Sequence, residues 1–229
     1  FDLRATGPAE VVKASARFDS LIGRVGLRFK VNDDWMIYSS VAEGEKPGGL
    51  RLVNANVIDP NTGELIPSVL VNPFELEKLT AYELGAKGVL FDRLSIDAAV
   101  FYNDWRDIVL RQLQETDPET GNLLEQPVGF NVNAGSARVL GLELSATLQI
   151  TDRWRASGSA GWVDAELRDA AQDQFENYPT FAPTGDVSGN KLLRQPEWDA
   201  SASLSYDREF GSDWKWYARG DVTYQSGVY

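Results

Sequence analysis

The chain has 229 residues, of which 22 are Lys or Arg and 34 are Asp or Glu, so its net charge is −12 at pH 7. This charge argues against nucleic acid as a partner, because phosphate binding needs a basic surface. It has no Cys and no His, so it lacks thiolate chemistry and the commonest general base and metal ligand, and we predict no enzyme, no catalytic residue, no metal site and no cofactor. The longest unbroken apolar run, Ala98–Tyr102, is far shorter than the roughly 18 residues of a membrane-spanning helix.

Apolar and polar residues alternate with a period of two along most of the chain, which is the pattern of half-buried β-strands. The alternation begins at residues 24–31 and is most regular at residues 141–150. There Leu142 and Leu144 fall on one side of the strand and Glu143 falls on the other. The pattern predicts eight strands, near residues 21–31, 35–43, 80–91, 94–111, 131–150, 153–166, 197–209 and 213–225.

The connections between these segments alternate strictly between short and long. Four short turns are predicted, at VNDD, FDRL, TDR and FGSD, and three long polar loops lie near residues 44–79, 112–130 and 167–196. In an up-and-down sheet this alternation puts every tight turn at one end and every long loop at the other, as in outer-membrane barrels. We therefore predict an all-β fold, an antiparallel up-and-down transmembrane β-barrel.

Aromatic residues mark the short turns. Trp35, Phe91, Trp154 and Trp214 each stand beside one of them, and so at one level of the predicted barrel. An indole ring has apolar faces and one N–H donor, so it settles at the headgroup layer of a membrane. We predict that these four residues form a girdle at one membrane surface and that Trp162 belongs to the girdle at the opposite rim.

The polar sides of the strands are predicted to form the wall of a lumen, with Ser201 and Ser203 as part of it. A soluble β-sandwich is the alternative, since its strands also alternate and its two sheets pack face to face. In a sandwich, Leu27, Leu142 and Leu204 would be buried against one another. The loop pattern and the tryptophans beside the turns favour the membrane barrel.

Four stretches, in this order along the chain, resemble the barrel of the TonB-dependent outer-membrane receptors. They are RVGLRFKVNDDWMIYSSVAEGEKPGG (24–49), LTAYELGAKGVLFDRLSIDAAVFYNDWRDI (79–108), NAGSARVLGLELSATLQITDRW (133–154) and GNKLLRQPEWDASASLSYD (189–207). Glu45 departs from the pattern, since the family usually carries an aromatic residue before Lys-Pro-Gly-Gly. The resemblance identifies residues 1–229 as a partial barrel domain of such a receptor.

The family barrel is of the 22-stranded, plugged type, so the resemblance implies that about eight strands are only part of it. We expect the complete protein to have a plug domain and a TonB-contacting segment before this chain and further strands after it. The alternative is a small barrel that closes with these eight strands, a permitted size, and has a structural or adhesive role.

The resemblance also implies a function and a location. Receptors of this family lie in the outer membrane of Gram-negative bacteria and import a scarce substrate with energy transmitted by TonB. The implied substrate is a ferric siderophore, with cobalamin or a carbohydrate as alternatives. The implied partners are outer-membrane lipid, TonB acting through the plug and the N-terminal segment, and a small-molecule or metal-chelate substrate.

Four residues at the predicted outer rim are candidates for substrate contact. Lys46, Arg51 and Arg111 supply cations, and Trp105 supplies a stacking surface. Each has an alternative interpretation: Lys46 and Arg51 as solvated loop charges, Trp105 as a girdle residue of the opposite rim, and Arg111 as the partner of a nearby acid.

The long loops are rich in carboxylates, including Glu115, Asp117, Glu119 and Glu125. Oxygen ligands suit Ca²⁺, but this spacing fits the known calcium loop poorly. We therefore predict that these acids are solvated loop residues.

Overall fold

The computed structural model describes residues 14–117, 119–133, 135–170, 188–192, 194–211 and 213–228, so much of the predicted loop 167–196 lies outside the described residues. Twelve β-strands occur in the described part of the chain, which contains no helix that could cross a membrane. They are β1 (Arg24–Lys30), β2 (Trp35–Lys46), β3 (Gly49–Ile58), β4 (Leu65–Phe74), β5 (Glu77–Leu90), β6 (Leu94–Arg106), β7 (Val109–Thr116), β8 (Leu123–Asn133), β9 (Gly135–Gln149), β10 (Trp154–Ala170), β11 (Trp198–Phe210) and β12 (Trp214–Gln225).

Eight strands form one antiparallel sheet, the main sheet, in the order β1-β2-β5-β6-β9-β10-β11-β12. They correspond to the eight predicted segments, so the predicted all-β antiparallel fold is confirmed. Among the described residues β1 and β12 are the two edges of the sheet and do not pair with each other. The sheet is therefore open, and the alternative of a barrel closed by these eight strands is wrong.

The short turns are built by side chains that accept backbone hydrogen bonds. Asn32 Oδ1 accepts a bond from the backbone N–H of Trp35 at 2.8 Å. Thr151 Oγ1 accepts one from the backbone N–H of Trp154 at 3.1 Å. Asn and Thr stabilise turns in this way, and in both cases the next residue in the extended conformation is a tryptophan. The polar turn therefore fixes the level at which each indole stands.

The β5–β6 turn has an unusual backbone. Phe91 and Asp92 have φ angles of 54° and 53°, and the N–H of Arg93 donates to the C=O of Leu90 at 3.1 Å. Positive φ angles at both central residues are the mark of a type I′ turn, which normally carries Asn or Gly at these positions. A phenylalanine in this conformation costs roughly 1–2 kcal/mol. The Phe91 side chain nevertheless points into solvent, with 88% of its surface exposed.

Two of the long polar loops contain strands, which corrects their interpretation as loops. Residues 44–79 include β3 and β4, and residues 112–130 include most of β7 and β8. These four strands form a second sheet, the hairpin sheet, in the order β4-β3-β8-β7. The predicted strand 94–111 accordingly divides into β6 and β7, and the predicted strand 131–150 divides into β8 and β9.

The tips of the two hairpins share one sequence pattern and one set of backbone hydrogen bonds. Both read Asp-Pro-x-Thr-Gly, at residues 59–63 and 117–121. In each tip the glycine N–H donates to the aspartate C=O at 2.8 Å, and the glycine has a φ angle near 70°, 73° at Gly63 and 72° at Gly121. Only glycine adopts such angles without strain.

The aspartate of each tip also accepts hydrogen bonds through its carboxylate. The backbone N–H groups of Asn61 and Thr62 donate to Asp59, and they lower the pKa of its carboxyl below the usual value. In the other tip the N–H of Glu119 donates to Asp117 at 3.0 Å. Asp117 is only 6% exposed. The prediction that Asp117 is a solvated acid is therefore wrong.

The two hairpins pack against each other over a small apolar core. Its buried members are Val57, Leu70, Leu124 and Phe130, and half-buried valines surround them. Asn72 ties the hairpins at their base, where its Oδ1 accepts from the Asn131 N–H at 2.6 Å and its Nδ2 donates to the Asn131 C=O at 2.9 Å. Asn133 adds a second tie by accepting from the Glu75 N–H at 2.7 Å. These bonds join the two hairpins into one packed unit.

The register of the main sheet separates two faces. The apolar face carries the residues in line with Leu144, including Leu27, Leu142 and Leu204, and the polar face carries those in line with Ser145. Leu27, Leu142 and Leu204 are 72%, 50% and 45% exposed. A second sheet does not cover them, so the sandwich alternative, which needs them buried, is wrong.

Leu144→Arg should destabilise the full-length protein, because Leu144 lies halfway along the apolar face of β9. A cation on the lipid side near the bilayer centre costs about 2–4 kcal/mol. The measurement is the urea-dependent folding equilibrium of the full-length protein in lipid vesicles. Ser145→Arg on the polar face is the matched control, and an equal loss in both variants would contradict the assignment of the faces.

Candidate functional site

The polar face of the main sheet is lined by hydroxyl groups along β10 and β11. Ser157 Oγ and Ser203 Oγ lie 2.7 Å apart, and Ser159 Oγ and Ser201 Oγ lie 2.8 Å apart. These cross-strand pairs satisfy one another without charge. The predicted polar side with Ser201 and Ser203 is therefore continuous over two strands, as a hydrated wall requires.

Charged and phenolic groups extend this wall onto β2, β5 and β6. The Tyr38 hydroxyl donates to Glu83 Oε1 at 2.6 Å. Lys87 forms an ion pair with Asp97, and its ammonium lies 5.5 Å from the centre of the Tyr38 ring. A concavity of about 390 Å³ lies beside Lys87 and Asp97. The wall thus offers both donors and acceptors to whatever occupies the space in front of it.

A buried carboxylate, Glu77, joins two of the predicted site residues at the rim. Lys46 Nζ lies 2.8 Å from Glu77 Oε1, and the Trp105 indole N–H donates to Glu77 Oε2 at 3.1 Å. The Glu77 side chain is only 5% exposed, whereas Lys46 remains 69% exposed. Both carboxylate oxygens are therefore satisfied, and the outward part of Lys46 stays available to solvent.

Trp105 lies on the polar face of the main sheet. Its ring packs against the buried cluster of Ile108, Ala137 and Leu167, and Leu110 and Leu192 border the same cluster. The interpretation of Trp105 as a girdle residue of the opposite rim is therefore wrong. A row of neighbouring residues on the polar face runs from Lys46 through Trp105 to Leu167, across β2, β5, β6, β9 and β10. This row marks the level where the polar wall ends and the hairpin sheet begins.

Arg51 and Arg111 stand in separate hairpins. Arg51 lies opposite Asn72 on the hairpin face that carries the small core. Arg111 lies opposite Asn131 on the other face of its own hairpin, with its guanidinium over Gly129, where a Cβ would come within 2.3 Å of Nε. The structure thus brings Lys46 and Trp105 together around Glu77 and leaves the two arginines apart.

Sequence reasoning missed Glu77 because the predicted strand began at residue 80, whereas β5 begins at Glu77. Extending the alternation backwards from Glu83 and Lys87 would have placed Glu77 on the polar face. Asn72 was missed because it lies in the segment 44–79, which was interpreted as a loop. Asn133 lies in the predicted strand 131–150, but its partner Glu75 lies in that same segment 44–79.

A charged cluster lies on the apolar face beyond the last aromatic residue of β10. Arg138 pairs with Glu166 at 2.6 Å, and Lys191 contacts Asp164, Glu166 and Glu197. The hydrogen bond to Asp164 raises the pKa of the Lys191 ammonium. These charges offset one another, and within the described residues no group of acidic side chains is placed to hold a metal ion.

The predicted girdle tryptophans lie on the apolar face at two levels. Trp35, Trp154 and Trp214 stand at the turn end of the sheet. Trp162 stands eight residues beyond Trp154 on β10, with its ring 6.4 Å from that of Trp198. At roughly 3.3 Å per residue and a tilt of roughly 40°, eight residues span about 20 Å of membrane. The two levels are separated by close to the height of the apolar band of such barrels.

The chain matches the family "TonB dependent receptor-like, beta-barrel" over residues 2–229. It belongs to the TonB-dependent receptor family. The chain is therefore part of a barrel of the Gram-negative outer membrane, as the resemblance implied. Family members are transporters and not enzymes, in agreement with the prediction that the chain has no catalytic role.

Similar proteins include receptors from two bacterial species. The chain is 27% identical over 165 residues to the pesticin receptor of Yersinia pestis, covering 72% of this chain and 21% of that protein. It is 27% identical over 167 residues to the probable TonB-dependent siderophore receptor PiuA of Acinetobacter baumannii, covering 71% of this chain and 19% of that protein. The chain thus spans about a fifth of the length of these relatives.

Solved structures share the fold. The ferric yersiniabactin uptake receptor FyuA of Yersinia pestis superposes with a TM-score of 0.59 at 23% identity, over 88% of this chain and 25% of that one. The ferric preacinetobactin receptor BauA of Acinetobacter baumannii superposes with a TM-score of 0.56 at 19% identity, over 90% and 25%. The main sheet is therefore a sector of a larger receptor barrel.

Trp105→Phe should loosen the rim, because it keeps the ring but removes the N–H that satisfies Glu77 Oε2. Loss of one hydrogen bond to a buried charge costs about 1–3 kcal/mol. Hydrogen exchange of the full-length receptor should therefore speed up at the outer ends of β5 and β6. Trp162→Phe on the apolar face is the matched control and should leave exchange at those ends unchanged. Equal protection in wild type and Trp105→Phe would show that the bond contributes nothing.

Proposed function

We propose that the complete receptor imports a metal chelate, a ferric siderophore, across the outer membrane with energy transmitted by TonB. Membership of the receptor family along nearly the whole chain carries this proposal. Two relatives support the chelate class, since they are named a siderophore receptor and a metal-pseudopaline receptor. Cobalamin and carbohydrate are the other substrates that the family resemblance implies.

In this proposal the chain contributes a sector of the wall and two substrate-contacting hairpins. The plug domain, the TonB-contacting segment and the remaining strands belong to other parts of the complete protein. The hydroxyl-lined polar face supports the role of a hydrated wall, since paired serines offer hydrogen bonds without a fixed charge that would trap the substrate.

The four rim candidates take different roles in the proposal. Arg51 and Arg111 supply cations from the two hairpins, which the Asn72 and Asn133 hydrogen bonds join together. Lys46 and Trp105 are already bonded to Glu77, so they contact the substrate only through the exposed part of the lysine and the ring. The arginine fork suits the carboxylate and phenolate oxygens of an anionic chelate.

Outer-membrane lipid is the second partner in the proposal. Trp35, Phe91, Trp154 and Trp214 contact the headgroup layer at the periplasmic surface, and Trp162 contacts the layer at the outer surface. The Phe91 side chain supports this role, because 88% of its surface is exposed at the turn end of the sheet and is free to contact headgroups.

The test is uptake of radiolabelled iron by a strain that lacks the full-length gene, supplied with a panel of ferric chelates. Deletion should abolish uptake of at least one chelate, and restoring the gene should recover it. Loss of cobalamin or sugar uptake alone, with every ferric chelate still imported, would contradict the proposed substrate class.

Arg51→Gln and Arg111→Gln in the full-length receptor should each weaken binding of that chelate by about tenfold, the effect of one lost charged hydrogen bond. Binding is measured on intact cells, with receptor abundance checked by immunoblot. Arg153→Gln in the β9–β10 turn is the control, since it lies at the opposite end of the sheet. Unchanged affinity in both rim variants would remove these arginines from the site.

A further inference from the structure

Three aromatic side chains enclose a groove on the apolar face at the turn end of β10, β11 and β12. The Trp154 and Tyr206 ring centroids lie 4.6 Å apart, and those of Tyr206 and Trp216 lie 5.0 Å apart. Leu204, Ala218, Arg219 and Gly220 form the floor of an open concavity of about 690 Å³. The concavity has room because β12 carries no large side chain between Trp216 and Val222 on this face.

One cation stands at the turn end of this groove. Arg208 pairs in register with Trp216, and its guanidinium carbon lies 4.4 Å from the centre of the Phe210 ring. Among the described residues, the ion pairs of this hairpin join Lys215 to Glu209 and Arg219 to Asp221, and none joins Arg208 to a carboxylate. The exposed Arg208 therefore carries an uncompensated positive charge on the apolar face.

The other cations of the same hairpin differ from Arg208. Lys215 forms an ion pair with Glu209, and Arg219 donates through Nε to Asp221 Oδ1 at 2.8 Å. Both of these pairs lie on the polar face, where the register places their residues. Arg208, which faces the lipid side, is thus the cation of this hairpin that has no acidic partner. Contact with lipid alone would favour the opposite, because an unpaired charge is costly there.

We propose that Arg208 and this groove form a binding site for one phospholipid of the periplasmic leaflet. The lipid phosphodiester pairs with the Arg208 guanidinium, and one acyl chain lies across Tyr206 and Leu204 toward the floor of the groove. This inference rests on the proposed placement of the turn-end aromatics at the periplasmic headgroup layer. At that level a phosphate is the anion that membrane supplies, and arginine matches its geometry.

The position of Arg208 opposite Trp216, a residue that lines the groove, distinguishes a lipid from a free anion. A free phosphate would pair with Arg208 alone and leave the concavity beside it unfilled. A phospholipid satisfies both features at once, because its headgroup and chain are covalently joined. The rings of Trp154 and Trp216 then flank the chain where it leaves the headgroup layer, the position that amphipathic rings prefer.

The experiment uses the purified, delipidated full-length receptor and phosphatidylglycerol, with bound lipid counted by native mass spectrometry. Arg208→Gln should lower the affinity for phosphatidylglycerol about fivefold, the effect of one membrane-facing cation. Arg208→Lys should restore part of it. Arg155→Gln is the matched control, since Arg155 lies beside Trp154 on the polar face and bonds to Gln149; it should bind as wild type does.

Two competitors separate the headgroup from the chain. Diacylglycerol lacks the phosphate, and glycerophosphate lacks the chains, so neither should displace the bound phospholipid. Equal binding by wild type and Arg208→Gln, or displacement by glycerophosphate, would overturn the proposed site. Quenching of Trp214 by lipids brominated at known depths tests the headgroup placement separately, since it does not depend on Arg208. A Trp214 at the bilayer centre would overturn the placement of the aromatics and the lipid site together.

Discussion

In hydrocarbon a peptide N–H or C=O finds no water, so each of these groups has to pair with a neighbouring strand. The seven antiparallel pairings of the main sheet meet this requirement for every strand except at β1 and β12. The same pairings fix the register, and the register decides which side chains face lipid and which face the wall. The apolar face, the hydroxyl-lined polar face and the two levels of aromatics all follow from it.

At the rim, pairing within the main sheet ends and packing around the separate core of the hairpin sheet begins. Above the row of Lys46, Glu77 and Trp105 the strands leave the main sheet and form hairpins with a core of their own. Glu77 holds this junction because its two oxygens bond to neighbouring strands on either side, β2 through Lys46 and β6 through Trp105. A carboxylate can be this well buried only when both oxygens have partners.

The sequence could predict the eight strands of the main sheet because alternation is strong wherever one face meets lipid and the other meets water. The short turns that contain Asn32 and Thr151 could also be predicted from the sequence. The hairpin sheet was not predicted, because Pro67 and Pro73 argue against a strand in this segment and a core shared by two hairpins needs only one apolar face from each. The repeated Asp-Pro-x-Thr-Gly was the available signal, since it is a turn motif between two β-rich runs.

The candidate site was harder to predict than the fold. Lys46, Arg51 and Arg111 were selected as cations at the predicted outer rim. The side chains that they bond to could not be predicted, because those contacts join segments that are distant in the sequence. Glu77 lies 31 residues from Lys46 and 28 from Trp105 along the chain. No local sequence pattern predicts a contact between residues this far apart. Because the predicted strand began three residues after the true start of β5, Glu77 was not recognised as a residue of the polar face.

The asparagine ties between the hairpins have a mechanical consequence. Asn72 is hydrogen-bonded to the backbone of Asn131, and Asn133 is hydrogen-bonded to that of Glu75. Neither hairpin can therefore tilt without either breaking these bonds or moving the other hairpin. A load on one tip is therefore shared by all four strands of the hairpin sheet. Within the described residues, the links at 47–48, 75–76 and 107–108 connect that sheet to β2, β5 and β6.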